Sequence, residues 1–361
     1  MACPSTFGNA EFVQAFNRRS ADGKVPLLGS IEVTRRCNLR CEHCYLGHRD
    51  GQAELDAGTL LGLTDELADA GCLYLVLTGG DPLLHPEFPT IYRHMRERGM
   101  VVTLFTNGTT VTDATLAVLR HHPPHEVEVS IHGATPGTHD GVTGMPGSFE
   151  ACWGGIDRLA GAGLRVTLKT MLTSANRGEF HAMEALAGAR GMRFRFDTAL
   201  FPRWDGDRAP LDRRIPAEEA VDLEFADPTR ARGWIEFDRR TRAWKTGDEL
   251  FQCGAGLTAF HVDATGHLRP CLMVHRISVP LVPGSFAEAW QAVGNAVGGR
   301  RSGGASACRS CRAQFVCGYC PGQFDLETGD DETVSDYLCS LGHSRLRKIS
   351  DHDAAACECA R

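Results

Sequence analysis

Residues 35–45 read RRCNLRCEHCY and set three thiols, Cys37, Cys41 and Cys44, in a C-x3-C-x2-C run. A cubane iron-sulfur cluster takes one cysteine per iron, so three ligands leave one iron open for chemistry, where a fourth would close the centre for electron transfer alone. On residues alone, a zinc knuckle or three unrelated core thiols are the alternatives. Zinc asks for a fourth ligand at a regular interval, and C-x3-C-x2-C is not a usual zinc spacing.

The 15 cysteines of this 361-residue chain fall mostly in tight clusters, and no basic-then-apolar segment opens it. An exported disulfide framework is therefore not expected, and the cytoplasm is the expected compartment. No apolar run approaches the roughly 18 residues that cross a bilayer. A formal charge of -7 and a pI near 6.1 offer no general attraction to nucleic acid or anionic lipid. The length predicts two domains. Residues 1–27 carry one short helical pattern, EFVQAFNRR, and read as an N-terminal extension.

From about residue 28 to 200, β-rich runs alternate with helical stretches closed by Gly. The runs are LLGSIEVT, YLVLTGG, VVTLFTNG, EVEVSIHG, RVTLKTML and RFRFDTAL. Between them, DAGTLLGLTDELADAG, PEFPTIYRHMRERG, TDATLAVLRHH, SFEACWGGIDRLAGAG and ANRGEFHAMEALAGARG show helical spacing. Strands alternating with helices predict an α/β chain with a parallel sheet. Periodicity alone leaves an open doubly wound sheet and a partial barrel both standing.

The cysteine run, with His43 before its last thiol, resembles the radical S-adenosylmethionine (radical SAM) superfamily. That resemblance implies a partial (β/α)6 barrel with the cluster loop after its first strand. It also implies that the open iron binds SAM and that cleavage of SAM yields a 5′-deoxyadenosyl radical. Chemistry in such barrels is built at the C-terminal ends of the strands. There, Thr78, Gly79, Gly80, Asp81 and Pro82 resemble the family's G-G-E-P motif, which holds the methionyl amino group. Glycine lets backbone approach a ligand, and Asp81, in place of the usual Glu, keeps a carboxylate for an ammonium. By the same resemblance Ser130, in VSIHG, is expected at the SAM ribose, with Asn107, in FTNG, a second SAM contact. Lys169 is read either as a contact to the cofactor carboxylate or as a structural ion-pair partner. His43 is expected to offer its backbone carbonyl to the adenine.

Residues 201–250 are dense in Arg, Asp, Glu and Pro, and read as a solvated bridge anchored to the barrel by Trp204, Trp234 and Trp244, or as a substrate surface. Seven cysteines follow. Cys253 and Cys271 enclose Gly266 as C-x12-G-x4-C, Cys308, Cys311, Cys317 and Cys320 read C-x2-C-x5-C-x2-C, and Cys339 stands alone. A zinc ribbon would separate its pairs by about 15 to 20 residues. Over residues 251–345 the pattern resembles the SPASM domain, which carries two auxiliary [4Fe-4S] clusters; its last interval is x2 where the family's is x3. The resemblance assigns Cys308, Cys311, Cys317 and Cys339 to the outer cluster and Cys253, Cys271 and Cys320 to the inner one. A fourth inner ligand is then left to Cys357 or Cys359 in the tail at 346–361, to water, or to a substrate thiolate. Cys72 and Cys152 read as buried core thiols, and Cys3 as a residue of the frayed terminus.

Family members of this layout mostly modify peptides or proteins, by crosslinking, epimerisation or oxidation. The resemblance thus implies a peptide or protein substrate and an electron donor such as flavodoxin or ferredoxin. Sulfatase maturases carry an Asp directly after the cysteine matching Cys271, where this chain has Leu272, which counts against that reaction. The segment before the barrel is short for a fused leader-binding domain, so a separate leader-recognition protein is expected for a precursor peptide. A small-molecule dehydrogenase or decarboxylase, acting on a sugar or nucleoside, is the alternative. A non-catalytic iron-sulfur sensor would need no Gly79-Gly80-Asp81 site.

Overall fold

The computed structural model describes residues 9–47, 54–244, 247–303 and 307–358, with side chains from 13 to 353. Cys3 and Cys359 lie outside the described residues, as does the side chain of Cys357. Helix α1 (Asn9–Asp22) precedes strand β1 (Leu28–Thr34), and the cluster loop leads to α2 (Ala57–Asp69) and β2 (Tyr74–Gly79). The alternation continues through α3 (Phe88–Glu97), β3 (Val101–Thr106), α4 (Asp113–His121), β4 (Glu126–Ser130), α5 (Pro136–Thr143), α6 (Ser148–Gly161), β5 (Val166–Met171), α7 (Phe180–Ala189) and β6 (Arg193–Asp197). Helix α5 is an addition to the sequence-based expectation. Side-chain caps start several of these helices; Asp56 accepts from the Thr59 N–H at 2.7 Å at the head of α2.

The six strands pair in parallel as β6-β5-β4-β3-β2-β1, a partial barrel whose sheet does not close. Ile31, Val33, Leu75, Leu77, Val102, Leu104, Val127, Val129 and Leu168 point to the helices and are buried. A parallel sheet covered on both faces reads as unbroken apolar runs. These strands instead alternate, so their inner face carries Glu32, Thr78, Phe105, Glu128, Ser130, Lys169 and Arg195. Charged groups there need partners or a polar ligand.

Residues 201–250 contain α8 (Ala217–Ala226) and α9 (Pro228–Thr241). The bridge is anchored differently from the expectation. Only Trp204 meets the barrel, through Tyr45, whereas Trp234 lies under the Arg345 guanidinium and Trp244 against Phe315. Next come β7 (Ala259–Val262), β8 (His267–Arg269), β9 (Val279–Pro280), α10 (Phe286–Gly298), α11 (Pro321–Thr328) and α12 (Asp336–Glu358). Strand β7 pairs in parallel with β1, and β8 and β9 continue antiparallel, so one sheet of nine strands spans both cysteine regions. Helix α12 runs unbroken past residue 345, with Ile349 buried among Ile235, Ala313 and Val316. Among the described residues no helix is long and apolar enough to cross a membrane.

Candidate active site

The cluster loop leaves the C-terminal end of β1 and is held from three sides. Gly80 N–H donates to the Thr34 carbonyl at 2.9 Å and Asp81 N–H to that of Arg36 at 2.8 Å. From the end of α5, the Thr143 carbonyl accepts from Arg40 N–H at 2.7 Å and that of Val142 from Glu42 N–H at 3.2 Å. From the bridge, Trp204 N–H reaches the Tyr45 carbonyl at 3.0 Å and Arg213 pairs with Glu42 at 3.0 Å. The glycines of the second strand end serve this contact. A Cβ on Gly79, whose φ is 134°, would lie 2.2 Å from the Thr34 carbonyl oxygen, and one on Gly80 2.3 Å from that of Arg36. The close approach that requires glycine here is therefore to the loop's own backbone.

Burial pushes the Cys37 thiol up to about 11, and the charges of Asp81 and Cys44 add to it. Burial likewise raises Cys41, with Cys44 and Cys37 adding, and Cys44. Three soft donors that hold their protons without metal suit a cationic cluster, whose charge reverses that balance. The described residues nearest them offer no fourth thiol. They offer His43 and His132, whose rings stand 4.7 Å apart beside Cys41 and whose Nδ1 atoms are buried without partners. Burial lowers both imidazoles, His43 to about 4.

The three polar SAM-contact candidates have protein partners of their own. Asp81 is fully buried, and its oxygens accept from Thr106 Oγ1 at 2.8 Å, Asn107 N–H at 2.7 Å and Leu83 N–H at 2.9 Å. Its carboxylate ties the end of β2 to that of β3. The Asn107 amide is likewise engaged, donating to Asn38 at 3.0 Å and accepting from Thr109 at 2.9 Å. Lys169 has an ion-pair partner on β4. Its ammonium is 3.6 Å from Glu128 and 3.0 Å from the centre of the Phe105 ring, and burial lowers it to about 7 against the opposing pull of Glu128. Ser130, beside Lys169 in register, has a hydroxyl that no described residue hydrogen-bonds, and Thr78 meets Tyr45.

Residues 31–186, which span this strand-end constellation, match the radical SAM superfamily. Residues 31–186 thus form a radical SAM domain of this chain. It is 28% identical over 332 residues to the AdoMet-dependent heme synthase of Methanosarcina barkeri, covering 84% of this chain and 94% of that one. To the mycofactocin maturase MftC of Mycobacterium tuberculosis it is 27% identical over 332 residues, covering 88% of this chain and 84% of that one. The crystal structure of Streptococcus suis SuiB bound to the precursor peptide SuiA shares the fold, with a TM-score of 0.70 at 15% identity over 94% of this chain and 83% of that one.

Beyond the radical SAM domain the C-terminal cysteines gather in two neighbourhoods. Burial pushes Cys271 up to about 12, with Cys320 and Cys253 adding to it. Cys317 is pushed up to about 12 by burial first, then by Cys308, Cys311 and Cys339. Cys320 caps α11, its sulfur accepting from Gln323 N–H at 3.4 Å, and burial raises its thiol against the pull of that hydrogen bond. Cys253 lines an open cavity of about 530 Å³ with Trp244, Phe251, Leu257 and Phe315. Cys72 and Cys152 are buried thiols, both raised to about 12 by burial.

Sequence reading missed the groups beneath the loop. Glu32, fully buried on β1, accepts from Tyr45 Oη at 3.3 Å and lies 3.6 Å from His261 on β7, which bonds Ser30 at 2.8 Å. The alternation in SIEVT carried the signal, since it puts Glu32 on the inner face.

Proposed function

We propose that this chain holds a [4Fe-4S] cluster on Cys37, Cys41 and Cys44, binds SAM beside it, and modifies a peptide or protein by crosslinking, epimerisation or oxidation. The observation that carries the reading is the cluster loop, clamped by Gly79-Gly80, by α5 and by the bridge at the C-terminal end of a polar-faced barrel. When bound, the cluster supplies the electron that cleaves SAM to the 5′-deoxyadenosyl radical. The chain's residues do the rest, which is to orient SAM and substrate and exclude water. Ser130 offers a free hydroxyl to the ribose, Thr78 and the backbone of Gly79 and Gly80 border the methionyl end, and the His43 carbonyl borders the adenine. Asp81 and Asn107 act one step back, holding the strand ends and Asn38 in place.

Cys308, Cys311, Cys317 and Cys339 would hold an outer auxiliary cluster, and Cys253, Cys271 and Cys320 an inner one, with Cys253 itself on the wall of an open cavity. In this division residues 28–200 are the radical SAM barrel and 251–345 the auxiliary unit. A flavodoxin or ferredoxin supplies electrons, a separate protein presents the leader of a precursor peptide, and the cytoplasm keeps the thiols reduced. The full-length likeness to a maturase supports a peptide substrate. The likeness to a heme synthase, of equal span, favours a second reading, dehydrogenation or decarboxylation of a small molecule such as a sugar or nucleoside.

Anaerobic reconstitution, reduction and addition of SAM should yield 5′-deoxyadenosine. Coexpression with short peptides encoded beside this chain should shift the mass of one of them. Full iron with no 5′-deoxyadenosine would overturn the radical reading. Turnover of such a small molecule, and no peptide shift, would replace the peptide reading with the second.

A further inference from the structure

We propose that Trp204 is the electronic contact between the two inner metal sites, through a column of rings formed by Tyr45, Trp204 and His275. The inference rests on the reading above that Cys37, Cys41 and Cys44 hold one cluster and Cys253, Cys271 and Cys320 another. Tyr45 directly follows Cys44, and its ring centre is 5.4 Å from that of Trp204. Trp204 meets His275 edge-on at 4.4 Å. His275 follows the tight turn at Cys271, where Val274 N–H donates to the Cys271 carbonyl at 3.2 Å. The column thus starts one residue from a thiol of the first site and ends four residues from a thiol of the second.

Its middle member is fixed from several sides. The Trp204 N–H holds the Tyr45 carbonyl, His261 lies edge-on at 5.9 Å, and the Arg269 guanidinium stands 5.6 Å from the ring centre. The indole Nε1 is buried without a partner.

Cleavage of SAM consumes one electron at the first site, and oxidation of a substrate radical leaves one electron at the second. Return transfer balances simply. One electron leaves the reduced second site and enters the oxidised first; no bond forms or breaks, no proton moves, and the rings themselves are neither oxidised nor reduced. Packed rings fill the gap with bonded matter, through which tunnelling decays more slowly than through a void or solvent.

The test needs neither SAM nor substrate. In the reconstituted chain, flash photoreduction by a deazaflavin injects less than one electron per molecule, and freeze-quench EPR follows its redistribution between the clusters. Trp204→Phe should exchange electrons at the wild-type rate. Trp204→Leu should be about tenfold slower, equivalent to 1.36 kcal/mol of barrier, with iron content and midpoint potentials unchanged. Wild-type exchange in Trp204→Leu overturns the proposal and makes Trp204 a packing residue. Should Trp204→Leu assemble less iron, His275→Leu carries the test, and an unaltered rate there overturns it equally. Failure of exchange to depend on these rings leaves SAM cleavage and peptide modification untouched, so the two readings fail separately.

Discussion

The loop with Cys37, Cys41 and Cys44 and the segment from Cys253 to Cys339 both gather soft thiols, but they are held in different ways. The first has turns of its own, Cys44 N–H to the Cys41 carbonyl at 3.1 Å among them, but its backbone is also gripped by other parts of the chain, namely the Gly79-Gly80 turn, the end of α5 and the bridge. The second sits in its own turns and helix ends. Cys317 N–H returns to the Ala313 carbonyl, Cys311 N–H to that of Cys308, and Cys320 caps α11. A site gripped from outside is placed accurately relative to the strand ends where a cofactor must dock. A site made of local turns can be attached wherever its segment packs. The strand ends therefore suit chemistry, and the attached segment suits electron traffic or substrate anchoring.

The largest effect separates the two regions outright. Replacing Cys37, Cys41 and Cys44 by Ala should remove about four irons of about twelve, together with all 5′-deoxyadenosine formation, by iron assay and chromatography. Loss of about eight irons would mean that the regions assemble as one. The reciprocal Cys271→Ala/Cys320→Ala variant should lose the inner cluster, keep SAM cleavage and lose modified product. If it loses cleavage as well, the auxiliary region is not separable from the catalytic one.

Asp81 tests the grip itself. Asp81→Ala strands the Thr106 hydroxyl and the N–H groups of Asn107 and Leu83, at about 1–3 kcal/mol for each buried unsatisfied group, and should lower the denaturation midpoint along with iron retention at the first site. Asp81→Asn, which still accepts through one oxygen, should fall between. Weakened SAM binding at unchanged stability would instead restore the direct ammonium contact read from the sequence.

A smaller effect asks whether the tail closes the inner site. Truncation after Lys348 would remove the buried Ile349, so Cys357→Ser/Cys359→Ser is the cleaner variant. It should leave both auxiliary clusters intact and leave intact any spectral response of the inner one to added thiol. Loss of one cluster would assign the fourth ligand to the tail.

The smallest effect concerns Lys169. Its folded value is about 7 against an ordinary 10.5, so between those values the unfolded chain keeps a proton that the folded site has released. Stability at this position therefore rises with pH from about 7 toward 10, and below about 7 the folded chain bears the full cost of the buried charge. The stability difference between wild type and Lys169→Met, from urea titrations at several pH values, should grow in favour of wild type over that window. A flat difference would show an ordinary solvated lysine.

The alternation of EVEVS, VTLKT and RFRFD with helical stretches determined the strands and their parallel pairing, because side-chain period and crossover length are local properties, while the site at their C-terminal ends was implied by the family resemblance. The spacing of Cys37, Cys41 and Cys44 likewise set three thiols on one short loop, which needs no distant partner, and the chemistry expected of them was what the resemblance implied. Tertiary structure alone decided what the neighbouring residues do. Asp81, Asn107 and Lys169 are polar groups at strand ends, and whether such a group faces a ligand or a neighbour depends on donors from other strands, at Thr106, Asn38 and Glu128. The contacts of Trp204 with Tyr45 and His275, and the pairing of β7 with β1, join segments far apart in the chain. No local pattern encodes them, because they are fixed by which surfaces remain to be buried once each segment has folded.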